Sequence, residues 1–284
     1  MNVKINDTVK FNYYSNGVST YKNSLNEIEV FDVLKNLYNR IKKIDNVEIK
    51  YGYLPVVLSN GIGGVIIHES CGHSLESREI LIGKSILYNI NKINNNKLTL
   101  IDNPNIESLF GSYTYDDEGN IATKKELISK GIINNYLYDN FSSLLLNKST
   151  NSSGRKEGYL NDISSRMSNT YIENGDSDIN DIISTIKYGI YVKNIIGGVV
   201  DTISGNFSFN ALESYRIIDR KIDYSVCIDN LTILGNTVDL LNDISMIGND
   251  LAFSCGICGS ESGLIYTTVG QPTIKIDKLF VEGN

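Results

Sequence analysis

Apolar and polar residues alternate over residues 2–13 (NVKINDTVKFNY), the period-two pattern of an edge hairpin strand. Between Ser24 and Ile44 the period lengthens, and Leu25, Ile28, Phe31, Leu34, Tyr38 and Ile41 recur at helical spacing. Ser24 followed by Glu27 gives this helix a capping-box start. Residues 51–59 (YGYLPVVLS) predict a strand, and NGIGG a turn into the segment GGVIIHESCGHSLES, residues 63–77.

Beyond that segment the pattern is mainly β. KLTLIDN predicts a short strand, YDDEGN a turn, and ELISKGIINNYLYD a hairpin folded at Lys130-Gly131. FSSLLLNK predicts a short helix, and residues 149–165, rich in Ser, Gly and Asn, a mobile loop. An amphipathic helix is expected over 178–189, opened by Asp176 or Ser177. Two or three glycine-broken antiparallel strands follow over 189–219, then a last helix in TVDLLNDISMIGND and a closing strand in GQPTIKIDKLFVEG. No internal repeat or long linker interrupts the order. The one shift in composition lies near residue 50. The fold class this order predicts is α+β, helices packed on an antiparallel sheet.

Composition narrows the function. The chain has 284 residues, 41% hydrophobic and 21% charged, ordinary values for a globular protein with a sizeable core. Lys+Arg total 26 against Asp+Glu 33, a formal charge of -7, which disfavours nucleic acid because phosphate binding needs a concentrated basic surface. The lysine-rich NRIKKI (39–44) reads as the solvated side of a helix. Apolar runs such as NIIGGVV fall far short of the roughly 20 residues of a membrane span, and no secretory leader pattern is present. The expectation is a cytoplasmic chain whose four cysteines (Cys71, Cys227, Cys255, Cys258) are thiols.

The chain has only two histidines, and both lie in HESCGH: His68 and His73, with Glu69 beside the first. Imidazole is the commonest zinc ligand, and a carboxylate next to a metal can handle protons. The spacing differs from HExxH, whose histidines share one helix face at i and i+4. Five residues of regular α-helix turn about 500°, leaving the two side chains roughly 140° apart around the axis. A shared ion therefore requires an irregular helix such as a π-bulge, and Gly72 is the expected place for its strain. Glu76 reads as a helix-surface group or as one that orients a histidine.

A catalytic zinc needs a third protein ligand and an open position. Cys255 and Cys258 form a C-x-x-C near the C-terminus, in SCGICGSESG, and three readings stand side by side. One thiolate completes an open site, both complete a closed Cys2His2 site, or the pair is a redox motif.

The segment LPVVLSNGIGGVIIHESCGHSLES resembles the HExxxH region of the TldD/PmbA metallopeptidases. The resemblance continues in order through YDDEGN, SGRKEGY, SRMSNTYI, YGIYV, GGVVDTISGNFSF, ISMIGNDL and GICGSESG…VGQPTIKID, from about Leu54 to the end. It implies a zinc-dependent peptidase acting on unfolded peptides, for degradation or maturation. Zn2+ would be held by His68, His73 and Cys258, the cysteine of the family's G-x-C-G, with Glu69 as catalytic base. It also implies a homodimer, or a heterodimer with a related subunit that encloses the site. Residues 1–50 then form a short N-terminal strand-and-helix segment and 51–284 the metallopeptidase domain.

Cys71 and Cys255 are expected to be small buried residues. Arg155 and Arg166 are candidates to hold a substrate carboxylate or carbonyl. The strands around GGVVDTISGNFSF are candidates to pair with an extended peptide. The second reading is a non-catalytic peptide-binding subunit with a structural zinc, partnering an active homologue.

Overall fold

The computed structural model describes residues 2–5, 8–11, 17, 27–44, 49–229 and 231–283. Strands β1 (Asn2–Ile5) and β2 (Thr8–Phe11) form the expected hairpin, and α1 (Glu27–Lys43) the expected helix. Its proposed cap, Ser24, lies outside the described residues.

Two sheets make up the rest. Strand β3 (Gly52–Leu58) belongs to the first. Strands β4 (Leu100–Asp102), β5 (Lys125–Ser129) and β6 (Ile132–Ile133) belong to the second. The β5–β6 turn has Lys130 at φ 47° and Gly131 at φ 81°, the left-handed pair that a tight hairpin requires. A two-residue ladder joins β7 (Gly154–Arg155) to β8 (Ser164–Ser165). Strand β9 (Asn169–Ile172) follows, then the long β10 (Tyr188–Val200) and β11 (Asn206–Ile218), β12 (Lys221–Ile228) and β13 (Leu231–Asn236). The chain ends with β14 (Ile244–Ile247), β15 (Ala252–Ser260), β16 (Gly263–Gln271) and β17 (Ile274–Gly283).

In the first sheet the order β10-β3-β17-β13-β11 closes on itself through the β10–β11 ladder, a five-stranded barrel with β12 and β14 attached. The second is open, in the order β15-β16-β9-β4-β5-β6. The α+β class holds, strand-rich and mainly antiparallel, but β3–β10 and β9–β16 run parallel. One apolar cluster fills the barrel (Val56, Leu58, Val192, Phe209, Ile233, Ile276) and extends to the motif segment through Ile66, Ile67, Cys71 and Leu75.

Several local expectations change. The helix near residue 180 spans Ile179–Ser184, after the short helix Asn140–Leu145, and its cap is Asp178, whose side chain accepts from Asn180 N. In TVDLLNDISMIGND only Thr237–Asp243 is helical; the β-branched ISMI continues as β14. Residues 149–165 are not uniformly loop: Ser152, Ser153, Ser164 and Ser165 are buried around the β7–β8 ladder, while Tyr159 and Leu160 are exposed. The serine hydroxyls are satisfied there: Ser152 donates to Asn151 O, Ser165 accepts from Arg78 N–H, Ser153 donates to Asn151 Oδ1 and Ser164 to Glu261 Oε1. Among the described residues, no helix is long and apolar enough to cross a membrane.

Candidate metal centre

The histidine segment is one right-handed run with a changing pitch. Gly61–Gly63 is 3-10, Gly64–Ile67 is α-helical, His68–Gly72 is a π turn, and His73–Leu75 is 3-10 again. The N–H of His73 donates to the carbonyl of His68, an i→i−5 bond that sets side chains five apart above one another. The two imidazoles face each other edge-on, ring centres 5.3 Å apart. Side chains serve the carbonyls around this wide turn: Ser70 Oγ donates to Ile66 O (2.6 Å), and Thr237 Oγ1 donates to Ser70 O (3.1 Å).

Gly72 has a different reason from the one its sequence suggests. Its backbone is ordinary right-handed helix (φ −57°, ψ −52°), so it relieves no strain. A Cβ there would sit 2.1 Å from Met167 Sδ; the glycine admits a neighbouring side chain. Gly72→Ala should therefore destabilise the chain by about 1–3 kcal/mol, the usual range for overpacking. In a denaturant-unfolding cycle with Met167→Ala, the double variant should cost less than the sum of the singles. Strict additivity would show that the glycine serves something else.

Cys258 comes from β15, an edge strand of the second sheet. His68, His73 and Cys258 offer ligand atoms that all lie within 4.8 Å of one another, and Cys258 Sγ is 3.2 Å from His73 Nε2. Zinc bonds of about 2.0–2.3 Å suit such a triangle. His68 and Cys258 are buried, and His73 is nearly so. Burial pushes the Cys258 thiol up, but the charges and hydrogen bonds of His68 and His73 outweigh it and bring the thiol down to about 5. For His73 burial pulls down, and Glu76 and Cys258 together raise it well above the usual imidazole value. This soft and borderline donor set, biased toward thiolate, fits zinc.

The C-x-x-C resolves by geometry. Three residues along a strand place Cys255 and Cys258 on opposite faces, about 10 Å apart at the usual rise, where a disulfide needs Cα atoms within about 7 Å. That excludes the redox reading for this conformation. It excludes the closed Cys2His2 reading too, since among the described residues the donor group contains Cys258 alone of the cysteines. Cys71 is fully buried in the core and its thiol is pushed up to about 12 by that burial, so it stays neutral. Cys255, expected to be buried, is only partly so.

Glu69 Oε2 lies 3.5 Å from His73 Nε2, with its side chain 35% exposed. It stands beside the donors, partly open to solvent. Glu76 is buried behind His73: its Oε2 is 2.9 Å from His73 Nδ1, and its Oε1 accepts from Met167 N at 3.3 Å. Of its two sequence readings, the orienting one is correct. Glu76→Gln should weaken metal binding by roughly 10- to 100-fold, the range for a residue that fixes a ligating imidazole. Competition with a chromogenic chelator measures this, and wild-type affinity would remove Glu76 from the role.

Arg155 and Arg166 are both engaged by the protein's own groups. Arg166 is fully buried, with Nη1 donating to Ser262 Oγ (2.7 Å) and Nη2 to the carbonyl of Cys258 (2.7 Å). Its Nε lies 3.7 Å from Glu76 Oε1. One guanidinium thus ties the strand that presents Cys258 to the carboxylate that orients His73. Arg155 donates to Met167 O (2.7 Å) and Tyr266 O (3.0 Å). Both arginines stood out in the sequence as charges; each spends donors on backbone carbonyls, which no sequence pattern marks.

The profile of the PmbA/TldA metallopeptidase C-terminal domain matches residues 51–283. The chain belongs to the PmbA/TldD family. A metalloprotease TldD homolog of Buchnera aphidicola (subspecies Schizaphis graminum) is 39% identical over 240 residues, 83% of this chain and 49% of the relative. A zinc metalloprotease TldD homolog of Saccharolobus solfataricus is 33% identical over 260 residues, 90% of this chain and 58% of the relative. The crystal structure of TldE from Thermococcus kodakarensis shares the fold, with a TM-score of 0.73 at 20% identity, covering 89% of this chain and 56% of that one. The chain spans about half the length of the PmbA/TldD relatives it matches.

Proposed function

We propose that the chain is a zinc-dependent metallopeptidase that hydrolyses peptide bonds in unfolded peptides. The observation that carries this reading is the convergence of His68, His73 and Cys258 from a π turn and a distant edge strand, with Glu69 beside them, partly open to solvent. A zinc ion held by these three residues supplies Lewis acidity toward a carbonyl and toward water.

The protein's own groups do the rest. Glu69, next in sequence to a ligand yet outside the donor group, accepts a proton from the attacking water and passes it to the leaving amine. Glu76 and Arg166 hold His73 and the Cys258 backbone in place. For substrate, β10 and β11 spend their adjoining edges on each other between residues 195 and 211. Among the described residues, β15 closes one side of its sheet with its outer edge unpaired, and it carries Cys258 itself. An extended peptide added along β15 would bring successive carbonyls past the donors through main-chain bonds alone, a mode that demands an unfolded substrate and tolerates many sequences.

The reading includes assembly with a second copy or a related subunit. The exposed apolar positions Val30, Phe31 and Leu34 along α1 support it, and light scattering measures it. The central test is hydrolysis of unstructured peptides by the pure chain. Activity should disappear on chelation and return with zinc. Tightly bound zinc at one ion per chain with no cleavage would instead favour a peptide-binding subunit.

A further inference from the structure

On the outer face of the barrel, α1 and strands β10, β11 and β12 enclose a cleft of about 590 Å3 that shares no residue with the His/His/Cys group. Its lining includes Arg40, Lys43, Lys193, Asn194, Glu213 and Tyr215, three cations against one carboxylate in a chain whose overall charge is -7. That volume is in the range of small-molecule sites.

Arg40 is the unusual member. It is only 6% exposed, and among the described residues its one ion pair runs from Nη1 to Glu213 Oε2 at 3.3 Å. Its Nε and Nη2 are buried with no hydrogen-bond partner among the described residues. Glu213 has little left to offer them, since its Oε1 already accepts from Tyr215 OH (2.7 Å) and faces Lys193 Nζ (3.1 Å). Buried guanidinium N–H groups are normally paired. Basic residues in the last turn of a helix complement its dipole, which accounts for Lys43. It does not account for an arginine turned inward with two donors unused.

We propose that this cleft binds a small-molecule oxyanion, a carboxylate or a phosphate, on Arg40, with Lys193 and Lys43 beside it. The planar fork of Nε–H and Nη2–H matches two oxygens of such a group. Both nitrogens are covered by protein, so binding turns the guanidinium toward the cleft and exchanges part of its contact with Glu213 for the ligand. Lys193, half exposed at the rim, supplies the second charge.

The test titrates the chain calorimetrically with inorganic phosphate and, separately, with glutarate, ionic strength being held constant with chloride. At least one should bind saturably at one site per chain, and which one does identifies the source of the oxyanion. Arg40→Gln should weaken that binding at least tenfold, and Glu213→Gln, which removes the competing carboxylate, should strengthen it. Should Arg40→Gln fail to fold by circular dichroism, Lys193→Gln takes its place, with an expected loss of at least threefold. No saturable binding of either anion, or wild-type affinity in the charge-removing variant, would overturn the proposal. None of these readouts depends on peptidase activity.

Discussion

Replacing Cys258 with serine is expected to strip the chain of its metal while leaving it folded. The substitution removes one of three donors and puts in its place a hydroxyl that stays protonated at neutral pH, where the native thiol, brought down to about 5 by the two histidines, is already ionised. The loss should exceed the 10- to 100-fold that follows from disturbing a residue that merely orients a ligand. Folding should survive because Arg166 holds the backbone carbonyl of residue 258, not its side chain. Elemental analysis alongside circular dichroism reads both halves of the result. Undiminished metal per chain in a folded Cys258→Ser protein would sink the donor set. In chelator-treated wild type, the thiolate absorbance near 240 nm should titrate at about pH 5 and be absent from the variant.

Glu69→Gln should do the opposite, keeping the metal and losing the chemistry. Glu69 is not in the donor group, and its carboxylate oxygen stands 3.5 Å from His73 Nε2 with the side chain partly open to solvent. Glutamine preserves the shape and cannot take a proton. Peptide turnover should fall by about 100- to 10,000-fold, the span attributed to general acid–base catalysis, with zinc content unchanged. Turnover within a few-fold of wild type would assign the base elsewhere, and a parallel loss of zinc would make Glu69 a ligand.

The order of elements was legible wherever one period dominated: the alternation over β1 and β2, the Lys130-Gly131 turn, the helical spacing in α1. It failed at the ends of elements. A side-chain oxygen at 176, 177 or 178 serves equally well as a cap on sequence grounds, and only the path of the chain selects Asp178. It failed as well for β15. SCGICGS is rich in glycine and small residues and carries no alternation, yet it pairs along its whole length with β16.

By itself, the sequence determined the chemistry of the centre. Two histidines five apart cannot share an ion on a regular helix, and that constraint demanded an irregular one, which the chain supplies as the π turn at His68–Gly72. Sequence resemblance, not spacing, separated Cys258 from Cys255, and the pleat of β15 then gave the physical reason by setting them on opposite faces. Only the tertiary structure decided what supports the donors. Gly72 yields its space to Met167, Glu76 turns inward to His73, and Arg166 spans from that carboxylate to the Cys258 carbonyl. Glu76 and His73 are three positions apart, but the other contacts join residues about 90 positions apart, often with backbone atoms that every residue shares. Local periodicity carries no trace of them, because what fixes them is the packing of the motif segment against the second sheet.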